Sequence, residues 1–226
     1  ERPHEGVGKQ EVSMSANFDK LKKAGIDDLK ANHVCKESFE DVLSAPNIGI
    51  LCKVIKKYWG DALGVYRGMF LGWFQCHYSE NREDFNRFGL YLNEDADSGR
   101  VIITEGDGYV FTGTAKVWMF GNSKVTGTQR SKFIVRDNSH VRLTDSASAE
   151  LFDDSTAIAE SKSTVKTFAN SKVECYDLAN VYAGGQSTVI GHSWNKIFAT
   201  GDAKVYAPIL RKIQLREQAK AYIERK

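Results

Sequence analysis

One periodicity constrains this chain more than any other feature: an apolar residue recurs at every eighth position. Val101, Tyr109, Val117, Val125, Phe133, Val141, Ala149, Ala157, Val165, Val173, Val181, Val189, Ile197 and Val205 follow one another with no insertion. Two residues before each stands a small residue, such as Ala115, Ser123, Ser131 or Ser155, with Asp107 and Asn195 as exceptions. Two residues after come Met119, Gly127, Val135, Leu143, Leu151 and their equivalents. This alternation has the period of two that defines a strand with one buried face. The remaining three positions are rich in Gly, Asp, Asn and Gln, as in Phe120-Gly121-Asn122 and Arg136-Asp137-Asn138. Such residues tolerate the positive φ that a tight corner demands. Each octad therefore reads as a five-residue strand and a three-residue corner. Stacked coils satisfy so rigid a period, because each rung buries its face on the next.

Side-chain volume decides how many octads close one turn. A three-sided turn of 24 residues encloses a wide prism that Ser, Val and Ala cannot fill. A two-sided turn of 16 residues sets two sheets face to face roughly 10 Å apart, which they can. The outward residues agree. Phe stands three residues after the central position at 120, 152 and 168, and Thr at 112, 128 and 144, each set spaced by multiples of 16. The expectation is a mainly β chain, a two-sided parallel β-solenoid of β-roll type. Its fourteen octads predict seven rungs and a length of ~34 Å at about 4.8 Å per rung.

The octads Gly121-Asn122-Ser123-Lys124-Val125 and Asp137-Asn138-Ser139-His140-Val141 resemble the N-S-x-V type octapeptide repeats of certain bacterial and phage β-roll or β-solenoid proteins. The resemblance covers about half the chain. It implies the architecture and carries over no functional residue.

Three regions are expected: a helical capping region over 1–98, the solenoid over 99–210, and a basic capping helix over 211–226. The first ~15 residues are expected to be disordered. Helices are predicted near 17–31, 48–59, 62–78 and 80–88, the last with Ser79 as N-cap and Glu80, Glu83 and Asp84 in its first turn. Gly64, Gly68 and Gly72 set a smooth stripe along the third, suited to close approach by another element. Pro208 opens the C-terminal helix, whose Ile209, Ile213, Ala219, Tyr222 and Ile223 are expected against the last rung.

Composition and chemistry narrow the function. The 226 residues are 42% apolar and 27% charged, with net charge +2, so nothing draws the whole chain to nucleic acid or an anionic membrane. Only residues 211–226 are basic, with 6 Lys/Arg against 2 Asp/Glu. The apolar run Ala62–Tyr78 contains Arg67 and ends at Gln75-Cys76-His77, so no membrane span is expected. The start, Glu1-Arg2-Pro3-His4, is unlike a signal peptide, and four irregularly spaced cysteines fit reduced thiols, so a cytoplasmic location is expected. A zinc site from His33, Cys35, Cys52, Cys76 and His77 lacks the ligand spacing that would make it specific, and no cofactor is expected. Nucleophile-elbow, P-loop, zincin and paired C-x-x-C motifs are absent from the sequence. His140 and His192 lie about three rungs apart on one face, too far to share a proton. Asp145, Glu150, Asp153, Asp154 and Glu160 cluster in sequence and frame the alternative of a β-helical carbohydrate-binding or carbohydrate-active protein. The Thr file that would indicate ice binding breaks at Glu160, Tyr176 and His192.

The leading expectation is therefore a non-enzymatic binding or scaffold protein, a bacterial or phage interaction factor. One outward face carries Ile102, Trp118 and Ile134, joined by Phe120, Phe152 and Phe168, with Lys116 and Lys132 as a polar rim. Soluble chains rarely leave so many apolar groups contiguous. Either the Gly-striped helix covers this face, or a protein partner does, most simply a second copy in a homodimer.

Overall fold

The computed structural model describes residues 7–193, 195–208 and 212–223, with side chains from residue 17 onward. The chain divides into two compact units, 1–90 and 91–226.

In the first unit, helices α1 (Val7–Ala31), α2 (Lys36–Ser44), α3 (Ile48–Lys57), α4 (Trp59–Gly64), α5 (Arg67–Tyr78) and α6 (Arg82–Arg87) follow in order. Their core is aromatic. Trp59 meets Phe70 and Phe74 edge-on at 5.6 and 6.2 Å, and Phe85 meets Phe74 at 5.1 Å. Asn47 caps α3 by accepting from the Ile50 N–H, as a short polar side chain at an N-cap should. The helix predicted over 62–78 is broken: α4 ends at Gly64 and α5 begins at Arg67. Among the described residues, a Cβ at Gly64, Gly68 or Gly72 would meet no atom within 4 Å, so the expected close approach is not seen at these glycines. The helix predicted from Ser79 starts later, because Ser79–Asn81 forms a 3-10 turn. Helix α2 went unpredicted. The disorder expected for the first residues concerns 1–6, which lie outside the described residues, and 7–16, which fall in α1.

The second unit is the two-sided parallel solenoid. Strands β1 (Leu90–Leu92), β2 (Arg100–Ile103), β4 (Lys116–Met119), β6 (Lys132–Val135), β8 (Ser148–Leu151), β10 (Thr164–Thr167), β12 (Asn180–Ala183), β14 (Lys196–Ala199) and β16 (Ile213–Leu215) lie side by side in sheet A. Sheet B runs from β3 (Tyr109–Phe111) through β5 (Lys124–Gly127), β7 (His140–Leu143), β9 (Thr156–Ala159), β11 (Lys172–Cys175), β13 (Thr188–Gly191) and β15 (Lys204–Ala207) to β17 (Lys220–Ile223). From β2 and β3 onward, partners differ by 16, as in Val117 with Phe133 and Val173 with Val189. The inward file is the core between the sheets: Val117, Val125, Val141, Val165 and Val189 are all buried.

The capping helix expected over 211–226 is not there. Among the described residues, 212–223 forms β16 and β17, an eighth turn. Ile213 pairs with Ile197 and Ala221 with Val205, so the eight-residue frame continues two octads further. Gln, Glu, Lys and Ala are good helix formers, but the exposed edge of the seventh turn offers a template that outweighs a small per-residue propensity. Ile209, expected against the last rung, lies outside the described residues. Eight turns give a stack of about 38 Å at ~4.8 Å per rung.

The corners explain their own composition. Residues with φ near +55° recur at eight-residue intervals through Gln129, Asp137, Asp145, Asp153, Ser161, Ala169 and Asp177. In that conformation the backbone N–H points along the stack, outside both ladders. The equivalent side chain one turn later accepts from it: Asp137 from Gly121, Asp145 from Gln129, Asp153 from Asp137 and Asp177 from Ser161, at 3.0–3.2 Å. Aspartate at these corners both tolerates the angle and satisfies the turn before it. On the inner side of the corner, Ser123, Ser131, Ser155 and Ser171 donate to the carbonyl three residues back. These bonds spare the four buried hydroxyls an unpaired-donor penalty, whereas the Ser163 hydroxyl of the same row has no partner among the described residues.

Candidate interaction face on sheet A

Residues that alternate with the inward file point out of sheet A, and the ladder register brings them into columns. Trp118 stands beside Ile102 on one side and Ile134 on the other, and Lys116 beside Arg100 and Lys132. Trp118 and Ile134 are half-buried while Lys116 and Lys132 are exposed. Ile102 is fully buried.

Phe120 is only 4% exposed, so it does not form part of the exposed surface. Phe152 and Phe168 come together elsewhere, stacked at 4.9 Å with 14° between ring planes. Arg136 lies over the other side of Phe152, 4.5 Å from the ring centre. It separates that stack from Phe120 along the same column. The central column is also interrupted, because Ile134 is followed in register by Glu150 and then Lys166. Lys166 donates to Glu150 at 2.9 Å, and this pairing raises the ammonium pKa. The seven predicted residues thus fall into two patches, Lys116-Trp118-Lys132-Ile134 and Phe152-Phe168, with Phe120 buried.

The electrostatic contrast along the sheet is sharp. Glu150 and Lys166 neutralise one another, and Arg136 lies 3.9 Å from Asp153. Lys116 and Lys132 stand directly opposite each other in the ladder. Like charges so placed are destabilising. An acidic group from outside would relieve that repulsion.

The carboxylates that framed a glycosidase do not converge. Asp145 and Asp153 accept from corner amides, Glu150 holds Lys166, and Glu160 binds Arg142 through two hydrogen bonds of 2.8 and 3.0 Å. Asp154 is an exposed corner residue. On sheet B, His140 shares a hydrogen bond of 2.8 Å with Thr156 and has its pKa lowered, chiefly by burial and secondarily by Lys124. His192 stacks on Tyr176 at 4.4 Å. Sequence reasoning missed this Tyr176–His192 pair and the Tyr206–Tyr222 stack at 5.1 Å. Their 16-residue spacing was the signal that would have found both.

All four cysteines are free thiols; burial pushes Cys52 and Cys175 up to about 12. Among the described residues, no group of three or more His, Cys, Asp or Glu is placed to hold a metal ion, and no helix is long and apolar enough to cross a membrane. Comparison of the chain with protein-family models, with curated proteins and with solved structures returns no match.

Proposed function

We propose that the chain is a non-enzymatic binding module that presents the first turns of sheet A to a protein partner. The observation that carries this reading is the in-register quartet of Trp118, Ile134, Lys116 and Lys132. A tryptophan anchor is what interface centres favour, and a polar rim is what surrounds them. The rigid ladder beneath holds the four side chains in place before binding, which lowers the ordering cost. The two stacked lysines favour a partner with carboxylates at the rim. The free thiols support a reducing, cytoplasmic location.

The test compares the wild type with Trp118→Ser/Ile134→Ser and with a control on the opposite sheet, Thr126→Ser, as immobilised baits. Specific partners should be retained by wild type and control and lost by the double variant, with unchanged far-UV circular dichroism. Equal retention by all three baits overturns the reading. So does a collapse of thermal stability in the double variant, which would make Trp118 and Ile134 packing residues.

A further inference from the structure

The helical unit holds two adjoining chambers between its packed helices. The larger, of about 320 Å³, lies among α2, α3, α4 and α5, with Val54, Ala62 and Phe70 in its wall. Val65 also lines it and is 77% exposed at the break between α4 and α5, so the mouth opens there. The smaller, of about 70 Å³, lies against α1 beside Leu21, Leu51 and Trp73, all buried. Leu29, Val42, Ile55, Met69 and Phe70 line both, so the chambers meet across these five side chains.

Trp73 sets the chemistry of the inner end. It is only 8% exposed, and its indole N–H has no acceptor among the described residues. Gly25 of α1 faces that edge of the ring: a Cβ there would lie 3.4 Å from Nε1, and both residues line the smaller chamber. A buried donor without an acceptor is costly. Water is a poor remedy, because the chamber wall is almost wholly apolar and a held water needs several polar partners. Neighbouring polar groups are committed elsewhere. Lys22 donates to the Ala45 carbonyl at 2.7 Å, Ser38 to the Cys35 carbonyl at 2.9 Å, and Tyr58 to Asp41 at 2.8 Å.

We propose that this paired cavity binds a small, uncharged, largely apolar molecule whose carbonyl or ether oxygen accepts from the Trp73 N–H. Size and lining select the body: sites for small ligands are mainly apolar concavities with a few placed polar groups. The single donor selects a single acceptor. A carboxylate is disfavoured, since it would lose its water while Lys22 stays on Ala45. Shape follows from α5. Trp73 lies two turns beyond Tyr66 at the mouth, about 10 Å along the helix, so the ligand is elongated with its oxygen at the inner end. The site belongs to the helical unit alone and does not depend on the sheet A reading.

Nuclear magnetic resonance of the full chain, following the assigned indole N–H signals, tests this with a matched pair of probes. Benzylacetone carries a carbonyl near its end where butylbenzene has a methylene. Benzylacetone should move the Trp73 signal downfield and saturably, and leave the Trp118 signal in place. Trp73→Phe should cost benzylacetone roughly tenfold in affinity and change butylbenzene by less than about twofold. Met69→Trp, which fills the passage between the chambers, should weaken both probes. No saturable shift at Trp73, an equal loss for both probes in Trp73→Phe, or full affinity in Met69→Trp would each overturn the proposal. Should either variant fail to fold, the wild type still decides it: butylbenzene must not reproduce the downfield shift that benzylacetone causes.

Discussion

Gly127 and Phe133 show how tightly single positions are fixed by what faces them across the core. Phe133 stands in the inward file of sheet A, and a Cβ at Gly127 in sheet B would lie 2.1 Å from its Cε2 atom. The glycine is needed there for space and not for an unusual backbone angle. Phe111 meets the same ring edge-on at 6.0 Å, which leaves Phe133 little room to turn aside. Gly127→Ala should therefore destabilise the solenoid by about 1–3 kcal/mol, the usual cost of overpacking a filled core. Adding Phe133→Leu should recover part of that loss, and urea unfolding of both variants measures it. Equal midpoints for wild type and Gly127→Ala would mean that the ring does not occupy this space. The glycine was visible in the sequence as a repeat member. Its reason was not, because only the two-sheet register brings positions 127 and 133 together.

At the scale of the strand, identity depends less on local propensity than on the neighbour one turn away. Pro208 and the apolar spacing of Ile213, Ala219, Tyr222 and Ile223 in a basic segment predict a helix where β16 and β17 form, although Ile213 and Ala221 continue the frame of Ile197 and Val205. The helical unit lacks any such template, and there the long helix was wrongly joined through Val65 and Tyr66. The same coupling between strands sets a pH dependence. His140 pairs in register with Lys124 on one side and Thr156 on the other, and burial with the Lys124 charge holds its pKa below the ordinary value. The folded chain then binds fewer protons at this site than the unfolded chain. Its contribution to stability is full above the unfolded pKa of about 6.5 and is lost as pH falls toward the folded value. The loss of melting temperature between about pH 7.5 and 5.5 should be smaller in His140→Gln than in the wild type. Equal losses would show that His140 titrates alike in both states.

For the molecule as a whole, the solenoid was legible because its signal is repeated: each octad is an independent reading of the same inward file. The face on sheet A was legible only in part. Trp118, Ile134 and the two lysines could be placed by counting, since residues 16 apart must share a column. The burial of Phe120 and the insertion of Arg136 between the Phe positions depend on how each side chain leaves the corner, and no periodicity encodes that. The proposed face rests on one claim, that one turn takes 16 residues and two strands. Spin labels at Lys116→Cys and Lys196→Cys, with the exposed Cys35 and Cys76 replaced by serine, test it in a single pulsed electron-resonance distance. Both positions are exposed and open strands of sheet A, 80 residues and five turns apart. Five turns at ~4.8 Å predict a narrow distribution centred near 24 Å. A broad distribution, or one set by an axial offset of about 16 Å plus the separation of two different faces, as a 24-residue turn requires because 80 is not a multiple of 24, would contradict the two-sided solenoid and every surface built on it.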